Sequence, residues 1–194
     1  MKNLWNITIG LFGQENAETC TQWGWKLEDG VLNINFQGSV SRLDWRQNFD
    51  FLKVPYKRMP KKFRVHRGFL AKWKSIQSDV IRVVETSEFK TLIVTGFSQG
   101  GALACLCHED LVFRGYVPVT YAFGSPRVFS WFTPRDRFEN LFRVTLNWDP
   151  IPGLAPWSWG YRHVGRELHY GRKPRWLRIW PWDHMRFFTF DWRT

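Results

Sequence analysis

The run Gly96-Phe97-Ser98-Gln99-Gly100 sets a serine at the centre of a G-x-S-x-G pattern. A serine hydroxyl is a weak nucleophile at neutral pH, so chemistry at Ser98 needs two kinds of help: a base to take its proton, and donors for the oxyanion that forms on an attacked carbonyl. Before the motif, Thr91-Leu92-Ile93-Val94-Thr95 is short, apolar and β-branched, as a strand buried on both faces would be. After it, Ala102 to His108 is small and apolar, suited to a helix packed closely on a sheet. A sharp strand-to-helix turn needs the glycines, because side chains there would meet the strand or the helix, and it lifts the serine hydroxyl to the top of the sheet. The backbone N–H of Gln99, at the helix start, would then point at an oxyanion. The same five residues also suit a glycine-rich turn with an incidental serine, or a phosphate-binding loop.

A nucleophile of this kind needs an acid and then a histidine further along the chain. Asp149 lies in Asn147-Trp148-Asp149-Pro150-Ile151-Pro152, after an apolar stretch from Leu141 to Asn147. That position suits the acid, and it equally suits a turn-forming Asp before Pro. Of the five histidines, His108, His163, His169 and His184 follow Ser98. His108 falls about three turns into the helix that starts at the motif, too far from the sheet's top to reach the serine. His184 follows the acid and precedes a short apolar segment, and the neighbouring Asp183 is not assigned as its partner, because adjacent side chains rarely face one another.

The elements that would position these groups alternate. Val31 to Phe36 reads as a strand running into Gln37-Gly38-Ser39. From Phe69 to about Thr86, apolar residues recur at helical spacing. Strands are predicted at Val117 to Phe123 and Leu141 to Asn147, with a helical segment between Thr133 and Glu139. Such alternation predicts an α/β fold with a mostly parallel central sheet and helices on both faces. No repeat, low-complexity tract or linker divides the sequence, so residues 1–194 are expected to form a single domain.

The landmarks Phe36-Gln37-Gly38-Ser39 with Asp44-Trp45, His66-Arg67-Gly68-Phe69, Gly96 to Ala104, Phe123-Gly124-Ser125-Pro126-Arg127-Val128, Asp149 to Pro152, His163-Val164-Gly165 and Asp183-His184 occur in that order. In this the chain resembles the fungal-type, or class 3, lipases of the α/β-hydrolase superfamily. The resemblance covers Val31 to His184. It implies a Ser98, Asp149, His184 triad, oxyanion donors from Ser39 and from the N–H of Gln99, and no cofactor. It implies hydrolysis of acylglycerol or other lipid esters through an acyl-enzyme, with phospholipase A-type or acyl thioesterase activity as alternatives. The family usually has His before the nucleophile and Leu after it, where this chain has Phe97 and Gln99. The string Gly-Phe-Ser-Gln-Gly-Gly is instead similar to acyl-protein thioesterases and related carboxylesterases. His66 and His163 resemble structural positions of the family. Residues Val40 to Phe51 correspond to the family's covering helix and mix aromatics with charges, as a mobile lid or a fixed surface helix would.

With 28 Lys and Arg against 17 Asp and Glu, the formal charge is +11, and 13 Trp are more than a core of this size needs. A basic run from Lys57 to Arg67 and an excess of Arg after Arg162, interleaved with aromatics, suggest peripheral contact with an anionic lipid surface. A solvated basic face is the plainer alternative. A nucleic-acid binder without turnover is the competing class, disfavoured because no nucleic-acid motif accompanies the charge. Cys20, Cys105 and Cys107 carry no zinc spacing and no disulfide framework, so no metal is expected. No stretch reads as a clear signal peptide or membrane span, which leaves a cytoplasmic protein or a secreted enzyme without its leader. Short to medium acyl chains are expected, because a small domain leaves limited room for an acyl tunnel.

Overall fold

The computed structural model describes residues 1–10, 14–16, 19, 21–38, 52–56, 63–147, 149–171 and 181–191. The candidate lid at 40–51, the basic run 57–62 and the oxyanion candidate Ser39 lie outside these residues, as does Cys20.

A seven-stranded sheet organises the described residues. Its strands, in chain order, are β1 (Gln14–Asn16), β2 (Thr21–Glu28), β3 (Val31–Phe36), then β6 (Thr91–Phe97), β7 (Val119–Phe123), β9 (Leu141–Leu146) and β11 (Arg166–Tyr170). The spatial order is β1-β2-β3-β6-β7-β9-β11. β1, β2 and β3 pair antiparallel, and every pair from β3 to β11 is parallel. The mostly parallel sheet predicted from the alternating pattern is therefore present. Two strands differ in extent from their expected ranges. β7 starts at Val119 because Pro118 has no N–H to give the ladder, and β9 stops at Leu146 because Asn147 turns into the left-handed region at φ 47°.

Alternation along the parallel strands divides the buried side chains between two faces. Leu32, Ile34, Phe36, Leu92, Val94, Ala122 and Leu141 point to one face, where α2 (Arg67–Thr86) and α3 (Gln99–Phe113) cover them. On α2, Phe69, Trp73, Ile76, Val80 and Val84 recur at helical spacing as one buried stripe. Helix α3 is buried nearly all round, which explains its unbroken run of small apolar residues. Its acids Glu109 and Asp110 are held inside by partners: Arg137 Nη1 donates to Glu109 at 2.7 Å, and Trp73 Nε1 and Arg114 Nε donate to Asp110.

The other face carries Phe97, Phe123, Val144 and Leu146, which pack with Trp5 of α1 (Lys2–Gly10) and with Phe187. Phe187 belongs to a 3-10 helix, Pro181–Phe188, that also carries His184.

A second, antiparallel sheet was not legible in the sequence. It has the order β10-β8-β5-β4, from β4 (Lys53–Tyr56), β5 (Phe63–His66), β8 (Phe129–Ser130) and β10 (Tyr161–Arg162). Strands of two to four residues are too short to show periodicity. The helical segment expected between Thr133 and Glu139 is corrected to one 3-10 turn, Asp136–Phe138, closed by Phe138 N–H on the Arg135 carbonyl. Pro134 supplies no N–H for a longer run, and Phe138 is drawn into the core against Phe129.

Candidate active site

Ser98 terminates β6 and caps α3 with φ 57° and ψ −119°, a conformation that costs an L-residue about 1–3 kcal/mol. The surrounding structure holds it there. Ser98 N–H donates to the Phe123 carbonyl at 2.8 Å, and the helix packs so close to the sheet that side chains are barred from its start. A Cβ on Gly96 would lie 2.1 Å from the Gly100 carbonyl oxygen, and one on Gly100 would lie 2.1 Å from that of Phe36. This is the steric reason for glycines on both sides of the serine.

Gln99 opens α3, and its N–H belongs to the first turn, whose donors point out past the helix start. Gly38, just after β3, presses on the same turn, its Cβ direction ending 3.4 Å from Ser98 Cβ. The ends of β3 and β6 thus meet at Ser98.

Asp149 follows β9. Its N–H donates to the Leu146 carbonyl at 3.1 Å, and its Oδ1 accepts from Ile151 N–H at 2.9 Å. The Asp before Pro is therefore also a turn former, as its sequence allowed. Its second oxygen, Oδ2, lies 2.9 Å from His184 Nδ1, and the carboxylate is nearly fully buried. With Oδ2 accepting from Nδ1–H, the neutral ring has its lone pair on Nε2. Nε2 is itself buried and hydrogen-bonded to no described group. Two further contacts place the imidazole. Its face stacks on Phe97, the residue before Ser98, with ring centroids 4.6 Å apart and planes at 14°. Its edge lies against Gly124 at the end of β7, where a Cβ would come 2.9 Å from both His184 Cε1 and Asp149 Oδ2.

The remaining histidines take other duties. His66 caps α2, accepting from Phe69 N–H at 3.4 Å while stacking on its ring at 4.2 Å. His108 is buried between the Thr120 hydroxyl and the Arg137 carbonyl, and burial lowers its pKa to about 4. His169, on the edge strand β11, meets the Thr145 hydroxyl of β9. His163 lies 2.8 Å from the Pro152 carbonyl in the loop that begins at Asp149. Burial, with the Arg143 and Arg127 cations nearby, lowers its pKa to about 3, so it is neutral at pH 7 and its Nε2–H donates to that carbonyl. Arg127 Nη1 donates to the Gly153 carbonyl of the same loop at 2.7 Å. Sequence reasoning grouped His163 with structural positions. That it braces the loop of the acid follows only from the folded chain.

Cys105 and Cys107 are buried free thiols, and burial raises Cys105 to about 12, so neither offers a thiolate. Among the described residues no group of three His, Cys, Asp or Glu could hold a metal ion, and no helix is long and apolar enough to cross a membrane.

Residues 33–159 match the family described as Lipase (class 3). The chain is 32% identical over 147 residues to a secreted mono- and diacylglycerol lipase of Fusarium solani, an alignment covering 69% of this chain and 42% of that protein. Among solved structures, lipase II of Rhizopus niveus superposes with a TM-score of 0.72 at 25% identity, covering 80% of this chain and 64% of that one. A triacylglycerol lipase whose catalytic centre is formed by a serine protease triad superposes with a TM-score of 0.70 at 26% identity, covering 81% and 64%. The chain thus spans less than half the length of that curated relative and about two thirds of those two solved chains. The family match extends from Asn33 in β3 to Trp159, and the fold is the α/β-hydrolase fold that the nucleophile turn suggested. The chain belongs to the class 3 lipase family.

Proposed function

We propose that the chain hydrolyses carboxylic esters of acylglycerols, with Ser98 as nucleophile, His184 as general base and acid, and Asp149 as the group that orients the imidazole. The observation that carries this reading is the His184–Asp149 hydrogen bond of 2.9 Å, stacked on the residue that precedes a strained Ser98. An ester carbonyl docks over Ser98 while His184 Nε2 takes the hydroxyl proton and Oγ bonds to the carbonyl carbon. The imidazolium that forms is stabilised by the buried Asp149 carboxylate. Negative charge on the former carbonyl oxygen is met by the Gln99 N–H and by Ser39, each donor worth about 3–4 kcal/mol. His184 then returns the proton to the departing alcohol, and water, activated by the same nitrogen, releases the acid. Nucleophile–base hydrogen bonds commonly tighten only when substrate is in place, which accords with an Nε2 that meets no partner among the described residues.

The family match and the names of the relatives support acylglycerol as the substrate class, and we extend the reading to short and medium acyl chains. Turnover of p-nitrophenyl esters from acetate to palmitate, and of mono-, di- and triacylglycerols, tests it. Ser98→Ala should reduce kcat by about 10⁶. Activity retained in that variant, or confined to the longest chains, would overturn the corresponding part of the proposal. The relatives' description as secreted proteins supports a secreted origin for this chain as well.

A further inference from the structure

The second sheet presents a face that the catalytic reading does not use. Around a cavity of about 620 Å³, lined by Lys53, Arg64, Trp131, Phe132 and Trp159 among others, aromatic rings stand out into solvent. Phe132 is 82% exposed, Trp157 64% and Trp159 55%, and Trp131 packs on Trp157 with ring centroids 4.7 Å apart. None of Ser98, Asp149 or His184 lines this cavity.

Large apolar groups exposed together on a folded chain mark a surface that meets something else. The charges beside them narrow the choice. Segments 52–56, 63–66, 129–135 and 157–162 contribute Lys53, Arg64, Arg135 and Arg162 and not one Asp or Glu. Arg162 is tied to the Thr133 carbonyl and Lys53 to the Trp159 carbonyl, so two cations are anchored at the base of the aromatic loops. Lys53 also lies 5.2 Å from the centre of the Tyr161 ring.

The face is joined to the candidate active site through two loops. The chain leaving β7 passes Gly124, which touches the His184–Asp149 pair, and reaches Phe129 to Phe132. The chain leaving Asp149 reaches Trp157 to Trp159. Arg127 ties the two loops together by its N–H on the Leu154 carbonyl and its guanidinium on that of Gly153. At the same edge of the main sheet, β5 runs directly into α2, and His66 N–H donates to the Val128 carbonyl.

Trp and Phe settle at the boundary between headgroups and acyl chains, and cations beside them are drawn to anionic headgroups at about 1 kcal/mol each. We propose that the β10-β8-β5-β4 face is a docking surface for a lipid surface bearing anionic headgroups. Phe132, Trp157 and Trp159 enter the interface, and Lys53, Arg64, Arg135 and Arg162 lie over the headgroups. The proposal deepens the ester-hydrolase reading, because docking here would bring the edge that carries Ser98 to the lipid.

The test is sedimentation of the chain carrying Ser98→Ala with vesicles of phosphatidylcholine, with and without phosphatidylglycerol. Binding should require phosphatidylglycerol and weaken with salt. Phe132→Ser with Trp157→Ser should reduce it about tenfold or more, and Arg64→Gln with Arg135→Gln by a similar factor. Melting temperatures within a few degrees of the parent would show that these variants fold. Equal binding by parent and variants, equal binding to neutral vesicles, or retention of DNA without vesicle binding would each overturn the docking proposal. Turnover of water-soluble p-nitrophenyl acetate by chains with an intact Ser98 is scored separately. If the parent binds vesicles but turns over no ester, the hydrolase reading falls and the docking surface stands.

Discussion

The ring of Phe97 lies flat against the imidazole of His184, 4.6 Å away, and is itself wedged between Trp5 and Phe187 at 5.3 and 5.4 Å. The His184 imidazole is thereby held from three directions: Asp149 at Nδ1, Phe97 on one face and Gly124 at its edge. A ring held in this way loses little freedom when it must meet a serine hydroxyl. Trp5, near the start of the chain, supports Phe97, so α1 contributes to the site through that ring.

Phe97→Ala is expected to lower kcat on a soluble ester about tenfold to a hundredfold with little change in KM, because it frees the His184 imidazole that Phe97 stacks against. Phe97→His or Phe97→Tyr, which keep a flat ring, should restore most of the loss. Steady-state kinetics on p-nitrophenyl butyrate decide it, and an unchanged kcat in Phe97→Ala would end the idea.

Gly124 makes a sharper case. At φ 53° any side chain is strained by about 1–2 kcal/mol. An added methyl would also lie 2.9 Å from Asp149 Oδ2 and from His184 Cε1. Gly124→Ala should therefore force the pair apart and cost at least about a hundredfold in kcat while the chain still folds. Circular dichroism would report the fold and single-turnover kinetics the loss.

His163 links the acid loop to pH. Its folded pKa of about 3 lies below the ordinary value of 6.5, so the unfolded chain binds the proton first. Stability is then greatest above pH 6.5 and falls as pH drops toward 3, by up to about 1.4 kcal/mol per pH unit for one group. His108, lowered to about 4, acts in the same direction. Glu109, raised by burial, opposes them at the acidic end. Thermal melting from pH 7 to 5 should show a falling midpoint, and His163→Gln, which retains a donor for the Pro152 carbonyl, should flatten that slope. An identical slope in the variant would show that His163 is not protonated on unfolding.

Asp110 tests the interior. Its buried carboxylate accepts from Trp73 Nε1 on α2, from Arg114 Nε at 2.9 Å and from Gln77. Asp110→Ala strands the indole N–H in the core and opens a gap between α2 and α3. It should cost on the order of 3 kcal/mol, read as a lower urea midpoint at unchanged slope.

What the sequence determined alone is the part written in contiguous residues. The buried strand, the glycine-flanked Ser98 and the small-residue helix after it are all local, and the steric reason for Gly96 and Gly100 acts within a few residues of the serine or on the strand beside it. The amphipathic stripe of α2 and the order of strands and helices were legible for the same reason. The choice of Asp149 was only half local, since its bond to Ile151 N–H makes it a turn residue as well. Pairing it with His184, 35 positions away, required the strand ends to be brought side by side. The edge strand Arg166–Tyr170 stayed hidden, because a half-exposed edge needs no apolar run, and the second sheet because its strands are too short to show a period. Tertiary structure alone decided that Phe97 supports the His184 ring, that His163 braces the loop after Asp149, and that Phe132, Trp157 and Trp159 stand beside the same cations. Each of these depends on which loops meet at the carboxyl edge of the sheet, and no spacing along the chain encodes that.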